Sequence, residues 1–109
     1  MQDCIFCKLA HKEIPKELSF EDDSVVVFPD LHPAKPVHLL IIPKLHISEF
    51  VSVEDPTLFS KVGTVIQKMI KEQGLTDKGY RIIANGGGAQ EVNHLHFHLM
   101  GPMGKSAAV

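Results

Sequence analysis

Histidine and apolar residues alternate strictly over residues 94–98. Successive side chains of a β-strand point to opposite faces, so this pattern predicts a strand with three imidazoles on one face and an apolar face behind them. A helix is the alternative, because residues 94 and 98 would also share a helix face. Glycines before the run and Gly101-Pro102 after it leave a strand-sized segment, which favours the strand and a working site over a solvent-facing surface. The histidines are His94, His96 and His98, and the apolar residues are Leu95, Phe97 and Leu99.

Length and charge limit the classes of protein that this chain can belong to. At 109 residues it fits one domain, expected over 1–109 with a flexible tail from about residue 103. A net charge of −2 argues against a nucleic-acid or anionic-membrane partner held by bulk charge. The N-terminus lacks the pattern of a signal peptide, and no apolar run approaches the length of a membrane span. We therefore expect a soluble, cytoplasmic protein with neither nucleic acid nor membrane as partner.

Local patterns predict an α+β fold. Runs rich in β-branched and aromatic residues predict strands at 18–20, 25–28, 37–42 and 80–84, besides the histidine strand. Apolar residues at three- and four-residue steps over 58–70 predict one long helix. It would begin at a capping pattern, Ser52-x-x-Asp55 followed by Pro56, and end at Gly74. A short helical segment is expected over 4–12.

Cys4 and Cys7 form a Cys-x-x-Cys pair at the start of the chain. This spacing lets both thiolates reach one metal ion. A redox role would require the pair to lie beside a βαβ pattern, whereas no strand precedes it. Metal binding and two structurally idle thiols remain open.

Three further features can belong to a site or to ordinary structure. His38 is a polar residue in the most apolar predicted strand, where one backbone partner would satisfy it. Asp30 can cap a turn or accept hydrogen bonds from sugar hydroxyls at a pocket rim. The glycines at 86–88 can direct backbone N–H groups at an anion or simply form a hairpin connection.

The sequence resembles the histidine triad superfamily and, within it, the Hint branch of nucleotide phosphoramidate hydrolases. Residues 94–100 match the signature His-φ-His-φ-His-φ-φ in full. Other similar segments follow in the family's order along nearly the whole chain: Ile5-Phe6-Cys7-Lys8, Glu13-Ile14-Pro15, Glu21-Asp22-Asp23, Phe28-Pro29-Asp30, His38 to Lys44, Gly79-Tyr80-Arg81 and Gln90-Glu91-Val92.

The resemblance implies a fold and a set of site residues. The fold is an antiparallel sheet of about five strands with one long helix and a short N-terminal helix, pairing into a homodimer. The substrate is a purine nucleotide of the AMP or GMP type. His96 would be the nucleophile. His98, Asn85 and the Val92 backbone would lie near the α-phosphate, supported by His94 and His38. Asp30 would bind the ribose. The base would lie between Phe6, Phe28 and Leu31.

The implied activity is hydrolysis of the P–N bond of a purine nucleoside 5′-phosphoramidate, as in an adenosine 5′-monophosphoramidase. A neutral imidazole can attack phosphorus without a separate strong base, so a covalent nucleotidyl-histidine is expected and catalysis needs no metal. Cys4, Cys7, His46 and His94 match a Cys2His2 zinc site of some superfamily members, which implies structural zinc.

One departure and three alternatives remain. Many Hint relatives have serine where this chain has Glu91, which suggests a carboxylate that positions the leaving amine. The alternatives are a dinucleoside polyphosphate hydrolase of the Fhit type, a nucleotide- and zinc-binding regulator with little turnover, and a three-histidine metal hydrolase.

Overall fold

A computed structural model describes residues 4–105 and 107–108. These residues form an antiparallel sheet of five strands in the order β1-β2-β3-β5-β4, which confirms the predicted α+β fold. The strands are β1 Phe20–Glu21, β2 Val25–Pro29, β3 Val37–Pro43, β4 Arg81–Ile83 and β5 Phe97–Gly101. The helices are α1 Ile5–Ala10 and α2 Thr57–Glu72, with a 3-10 turn at Phe50–Ser52. The predicted pairing of two copies stays a prediction.

Strand β3 lies at the centre of the sheet and is covered on both faces, as its continuous apolar run predicts. Leu39 and Ile41 pack with α2 on one face. Leu40 and Ile42 pack with α1 on the other face. Because alternate residues serve opposite faces, one strand contributes to both cores.

The long helix α2 begins and ends at local signals. At its start the predicted capping box is wrong, because Ser52 belongs to the 3-10 turn and only Asp55 caps the helix. The Asp55 Oδ1 accepts hydrogen bonds from the Thr57 N–H at 3.0 Å and its hydroxyl at 2.7 Å. At its end Gly74 adopts a φ of +70°, and the Leu75 N–H donates to the Ile70 carbonyl at 2.9 Å. This Schellman arrangement confirms Gly74 as the helix terminator.

The histidine run is only partly a strand. Strand β5 begins at Phe97, since the β3 ladder starts at the Ile41–Phe97 pair and the β4 ladder at the Ile83–His98 pair. Upstream of those pairs the backbone is held instead by the Leu95 N–H, which donates to the Ile47 carbonyl at 2.6 Å. The side chains nevertheless alternate between two faces along the whole run. The apolar ones all pack in the α2 core: Leu95, Phe97 and Leu99.

The C-terminal segment departs from the expected tail. Met103 and Gly104 donate backbone hydrogen bonds to the Gly79 and Lys78 carbonyls at 2.7 and 3.0 Å. Gly79 has a φ of +78°, and a Cβ there would overlap the Gly104 carbonyl. Residues 106 and 109 of the predicted tail lie outside the described residues. Among the helices described, none is long and apolar enough to cross a membrane.

Candidate active site

A cavity of about 560 Å³ opens on the α1 face of the sheet. It brings together residues of α1, the end of β2, β3, the 85–92 segment and β5, although these lie far apart in sequence. All the residues for which the resemblance implies a nucleotide-binding role line it, together with three of the four candidate catalytic histidines. They are Phe6, Phe28, Asp30, Leu31, Asn85, Glu91, Val92, His38, His96 and His98.

A second cavity, of about 590 Å³, lies between residues 44–48 and 52–55. It includes His46 but none of the three alternating histidines. We therefore take the α1-face cavity as the candidate active site, because chemistry depends on the groups that line a cavity rather than on its volume.

The tautomer of His96 follows from one hydrogen bond. Its Nδ1 lies 2.8 Å from the His94 carbonyl oxygen, which can only accept. Nδ1 therefore carries the proton, and in the neutral ring Nε2 carries the lone pair. The ring is buried, and the Phe6 ring contacts it edge-on with centroids 5.1 Å apart. A fixed ring with a free Nε2 lone pair is the form that a nucleophilic imidazole requires.

His38 and His98 form a hydrogen-bonded pair on the same face. The Ala34 N–H donates to His38 Nδ1 at 2.9 Å, so the neutral His38 ring carries its proton on Nε2. That Nε2–H donates to His98 Nδ1 at 2.9 Å, which leaves the His98 proton on Nε2. Burial, followed by the fields of His96 and His38, lowers the pKa of His98, so the neutral form is favoured. His98 can thus offer an Nε2–H donor.

Asp30 lies beside this pair and uses its two oxygens differently. Oδ1 accepts from the His32 N–H at 2.8 Å, which is the turn-capping role. Oδ2 lies 3.4 Å from His38 Nε2 and 4.0 Å from His98 Nδ1. Both sequence interpretations are therefore compatible with the structure, since one oxygen caps the turn while the other faces the cavity.

Aromatic and aliphatic groups form the other wall of the cavity. The Phe6 and Phe28 rings meet edge-to-face with centroids 5.7 Å apart, and the Lys16 ammonium lies 5.8 Å from the Phe28 centroid. Leu31 is 77% exposed and therefore stands at the rim. An apolar wall opposite a row of imidazoles suits a ligand with a flat apolar group at one end and an anion at the other.

His94 points away from this cavity into a cluster of four candidate metal ligands. It is fully buried, and its Nε2 donates to the Pro43 carbonyl at 2.7 Å, so its Nδ1 carries a lone pair. That Nδ1 lies 3.4 Å from the sulfurs of both Cys4 and Cys7. His46 Nδ1 lies 3.2 Å from the Cys7 sulfur. The ligand atoms of all four residues lie within 4.8 Å of one another.

The chemistry of this cluster fits zinc. Two ligand atoms on tetrahedral zinc, with bonds of about 2.3 Å to sulfur and 2.0 Å to nitrogen, are separated by roughly 3.5 Å. The 3.2–3.4 Å separations are close to that value. The carbonyl that holds His94 fixes the ligating tautomer, which is the usual outer support of a metal-bound histidine. Without a metal, burial raises the pKa of the Cys7 thiol to about 11, so zinc binding would have to displace the thiol proton. Burial lowers the pKa of His94 to about 4, which keeps that imidazole unprotonated and able to bind a metal.

The 85–92 segment, which we call the glycine loop, does not present a row of free amides. The Gly87 N–H donates to Glu49 Oε1 at 2.9 Å, and the Gly88 N–H donates to Gln90 Oε1 at 3.0 Å. The Ala89 N–H donates to the Gly86 carbonyl at 3.1 Å. Of the two interpretations left open for residues 86–88, this geometry favours a loop connection over an anion site, because side chains of the protein occupy the Gly87 and Gly88 amides. Instead the loop carries Asn85, Glu91 and Val92 into the cavity wall.

Sequence reasoning missed the groups that orient the imidazoles. The Pro43 and His94 carbonyls and the Ala34 N–H act only through folding, and no spacing in the sequence marks them. The alternation alone placed the three imidazoles together on one face, whereas His94 faces the thiols, as the resemblance to a zinc site implies, and His96 and His98 face the cavity. The three rings do not converge as the ligands of a three-histidine metal hydrolase would.

Comparison with known proteins assigns this chain to a family. The family model described as scavenger mRNA decapping enzyme C-terminal binding matches residues 3–108. A histidine triad protein from Clostridium difficile has 42% identical residues and a TM-score of 0.88, with 100% of this chain and 96% of that chain covered. The chain belongs to the histidine triad (HIT) family.

Two other HIT relatives are similar over nearly their full lengths. The purine nucleoside phosphoramidase of Escherichia coli K12 is 38% identical over 113 residues, covering 98% of this chain and 95% of the relative. The structure of a HIT family hydrolase from Legionella pneumophila has 43% identity and a TM-score of 0.85, covering 91% and 92% of the two chains. These similarities identify the chain as a HIT hydrolase.

Proposed function

We propose that this HIT hydrolase cleaves the P–N bond of purine nucleoside 5′-phosphoramidates through a covalent nucleotidyl-histidine. The observation that carries the proposal is the hydrogen bond from His96 Nδ1 to the His94 carbonyl, which leaves the Nε2 lone pair available in a cavity of nucleotide-compatible size. The similarity to a purine nucleoside phosphoramidase over nearly the whole chain supports the choice of substrate.

In the proposed first step, His96 Nε2 attacks the α-phosphorus in line with the leaving amine. The P–N bond to the amine breaks as the bond to Nε2 forms, and the amine takes up a proton as it leaves. Water then attacks the same phosphorus and gives up a proton as the P–Nε2 bond breaks, which releases the nucleoside monophosphate and returns His96 to its neutral form. Both steps depend mainly on positioning and on stabilising charge at the phosphoryl oxygens.

The other cavity residues take the roles that their positions favour. The His98 Nε2–H donates to a phosphoryl oxygen or to the leaving nitrogen, and His38 fixes that tautomer. The Asn85 amide and the Val92 backbone bind the phosphate from the loop side. Asp30 accepts from ribose hydroxyls through Oδ2, while Phe6, Phe28 and Leu31 enclose the purine.

We further propose that Cys4, Cys7, His46 and His94 hold a structural zinc ion. Four protein ligands close the coordination sphere, so the metal would stabilise the fold around His94 and bind no substrate. His94 would then serve two sites, because its ring ligates the metal and its carbonyl orients His96. The homodimer and the cytoplasmic location remain predictions from the sequence.

Trapping the intermediate tests the proposed function. The protein is mixed, with or without EDTA, with adenosine 5′-phosphoramidate labelled at the α-phosphate. The reaction is quenched in alkaline detergent, in which a P–N bond to histidine survives, and assayed for protein-bound label. We expect label on the wild type in both arms and none on His96→Ala, whose turnover should be abolished while its thermal unfolding midpoint changes little. His11→Ala is the control, because His11 is exposed beyond α1.

Three results would contradict the proposal. Near wild-type turnover by His96→Ala would exclude His96 as the nucleophile. Faster cleavage of a dinucleoside polyphosphate than of the phosphoramidate would favour the Fhit-type alternative. Tight nucleotide binding without label or turnover would favour the regulator.

A further inference from the structure

We propose that Glu49 is a positioning residue for the nucleotidyl transfer, acting by holding the glycine loop against the cavity. The inference rests on the proposed function for its kinetic consequence, but its structural part can be tested without substrate. Glu49 lies 38 residues before Gly87 in sequence, and its Oε1 accepts the Gly87 N–H at 2.9 Å. This is the hydrogen bond that fastens the tip of the loop to another part of the fold.

The fit around this carboxylate is tight on its other side. A Cβ added to Gly86 would lie 2.7 Å from the same Oε1, closer than atoms can approach without movement. Gly87 and Gly88 have φ values of +66° and +96°, in the range that favours glycine. The glycines therefore allow the loop to pack against the Glu49 side chain. This role differs from binding an anion, which the sequence also allows.

Glu49 is anchored at its own base. It belongs to the segment 46–49, in which the Ile47 carbonyl accepts the Leu95 N–H at 2.6 Å, between His94 and His96. The segment thus contacts the backbone of the histidine run at one point and the glycine loop at another. It sets the spacing between the two halves of the cavity wall: the imidazoles on one side, and Asn85 and Val92 on the other.

The carboxylate has no described ion-pair partner that would give it a different purpose. Lys12, Lys44 and Lys68, whose ion pairs are described, bind Glu21 or Glu72 rather than Glu49. Moreover, the carboxylates whose charge raises the pKa of His98 are Asp30 and Glu91, and Glu49 is not one of them. Its contribution should therefore depend on the hydrogen bond and not on its charge.

A double-mutant cycle tests this. Glu49→Ala removes the acceptor, and we expect kcat for an adenosine phosphoramidate to fall about tenfold with a smaller change in KM. Glu49→Gln keeps an acceptor oxygen without the charge and should restore most of kcat. Gly86→Ala should displace the carboxylate and lower kcat similarly, but should add little further loss to Glu49→Ala. Glu54→Ala is the control, since Glu54 is a nearby exposed carboxylate.

An NMR measurement separates this inference from the proposed function. In substrate-free protein, Glu49→Ala should shift the Gly87 amide resonance and speed its hydrogen exchange, whereas Glu54→Ala should not. An unchanged Gly87 amide would overturn the inference even if the protein is a phosphoramidase. A perturbed amide in a protein that never cleaves phosphoramidates would refute the proposed function and leave the loop contact in place. Equal loss of kcat in the Ala and Gln variants, or additive effects of the two substitutions, would also overturn the positioning role.

Discussion

His38 and His98, sixty residues apart in the chain, share a hydrogen bond of 2.9 Å between Nε2 of the first ring and Nδ1 of the second. The register of β3 and β5 brings them together, because Leu40 lies opposite His98 and His38 lies two residues away on the same face. The Ala34 N–H sets the direction of the bond by occupying His38 Nδ1. A backbone amide thus determines which nitrogen of His98 carries a proton.

Removing the first ring of that pair should impair catalysis more than binding. In His38→Ala the His98 Nδ1 loses its donor, so both tautomers become populated and the Nε2–H is present only part of the time. We expect kcat to fall about ten- to hundredfold, which is at most the lower end of a general acid's contribution because the Nε2–H is still present part of the time, with little change in KM. His38→Gln, which retains an amide donor, should recover part of the loss. Steady-state kinetics on both variants would contradict this if KM rose while kcat was unchanged.

The thiol and imidazole cluster predicts a metal content. Protein purified without chelator should contain about one zinc ion per chain, and Cys7→Ser should contain much less, because the site loses a thiolate ligand. His32→Ala is the control and should retain the metal, because His32 is an exposed histidine outside the cluster. Since the four ligands are separate from the cavity, wild-type protein should still turn over in EDTA. A wild-type stoichiometry near zero by metal analysis rejects the site.

Glu21 predicts a specific acid dependence of stability. Hydrogen bonds from Lys12 and Lys44, each 2.8 Å long, lower the pKa of the Glu21 carboxyl to about 2, against an ordinary value of 4.5. Because the folded pKa is the lower one, this stabilisation is complete above about pH 4.5 and is lost as the pH falls towards 2. The midpoint for thermal unfolding of Glu21→Gln should therefore be lower than that of the wild type at pH 7, and the difference should shrink below pH 4.5. A difference that grows on acidification would be inconsistent with these ion pairs.

Glu91 predicts selectivity for the leaving group. Its side chain lines the cavity, and its charge raises the pKa of His98 against the stronger effect of burial. A leaving amine that carries a positively charged group would be attracted to this carboxylate, whereas an uncharged leaving amine would not. Glu91→Gln should therefore lower kcat/KM for basic amines by about tenfold more than for neutral ones. Glu54→Gln is the control, and equal effects on both classes of amine would exclude the role.

Local sequence pattern determined much of the fold of this protein. Period-two and three-to-four-residue spacings predicted the strands and the long helix, and Gly74 marked its end, because each of these signals depends on neighbours in the chain. The alternation at 94–98 correctly predicted that the apolar members would enter the core. The resemblance to the HIT family then indicated which side chains gather at one site.

The tertiary structure decided what those side chains can do. His94 and His96 belong to the same alternating run, yet one ring faces two thiols and the other faces the cavity. Their protonation patterns depend on the carbonyls of Pro43 and His94, and that of His38 on the Ala34 amide. Likewise, the sequence allowed the glycines either to bind an anion or to form a hairpin connection, and Glu49, which folding brings close, occupies one of their amides. An imidazole has two nitrogens and a backbone amide has one proton, so their chemistry depends on which partner the fold supplies, and sequence spacing carries no record of that partner.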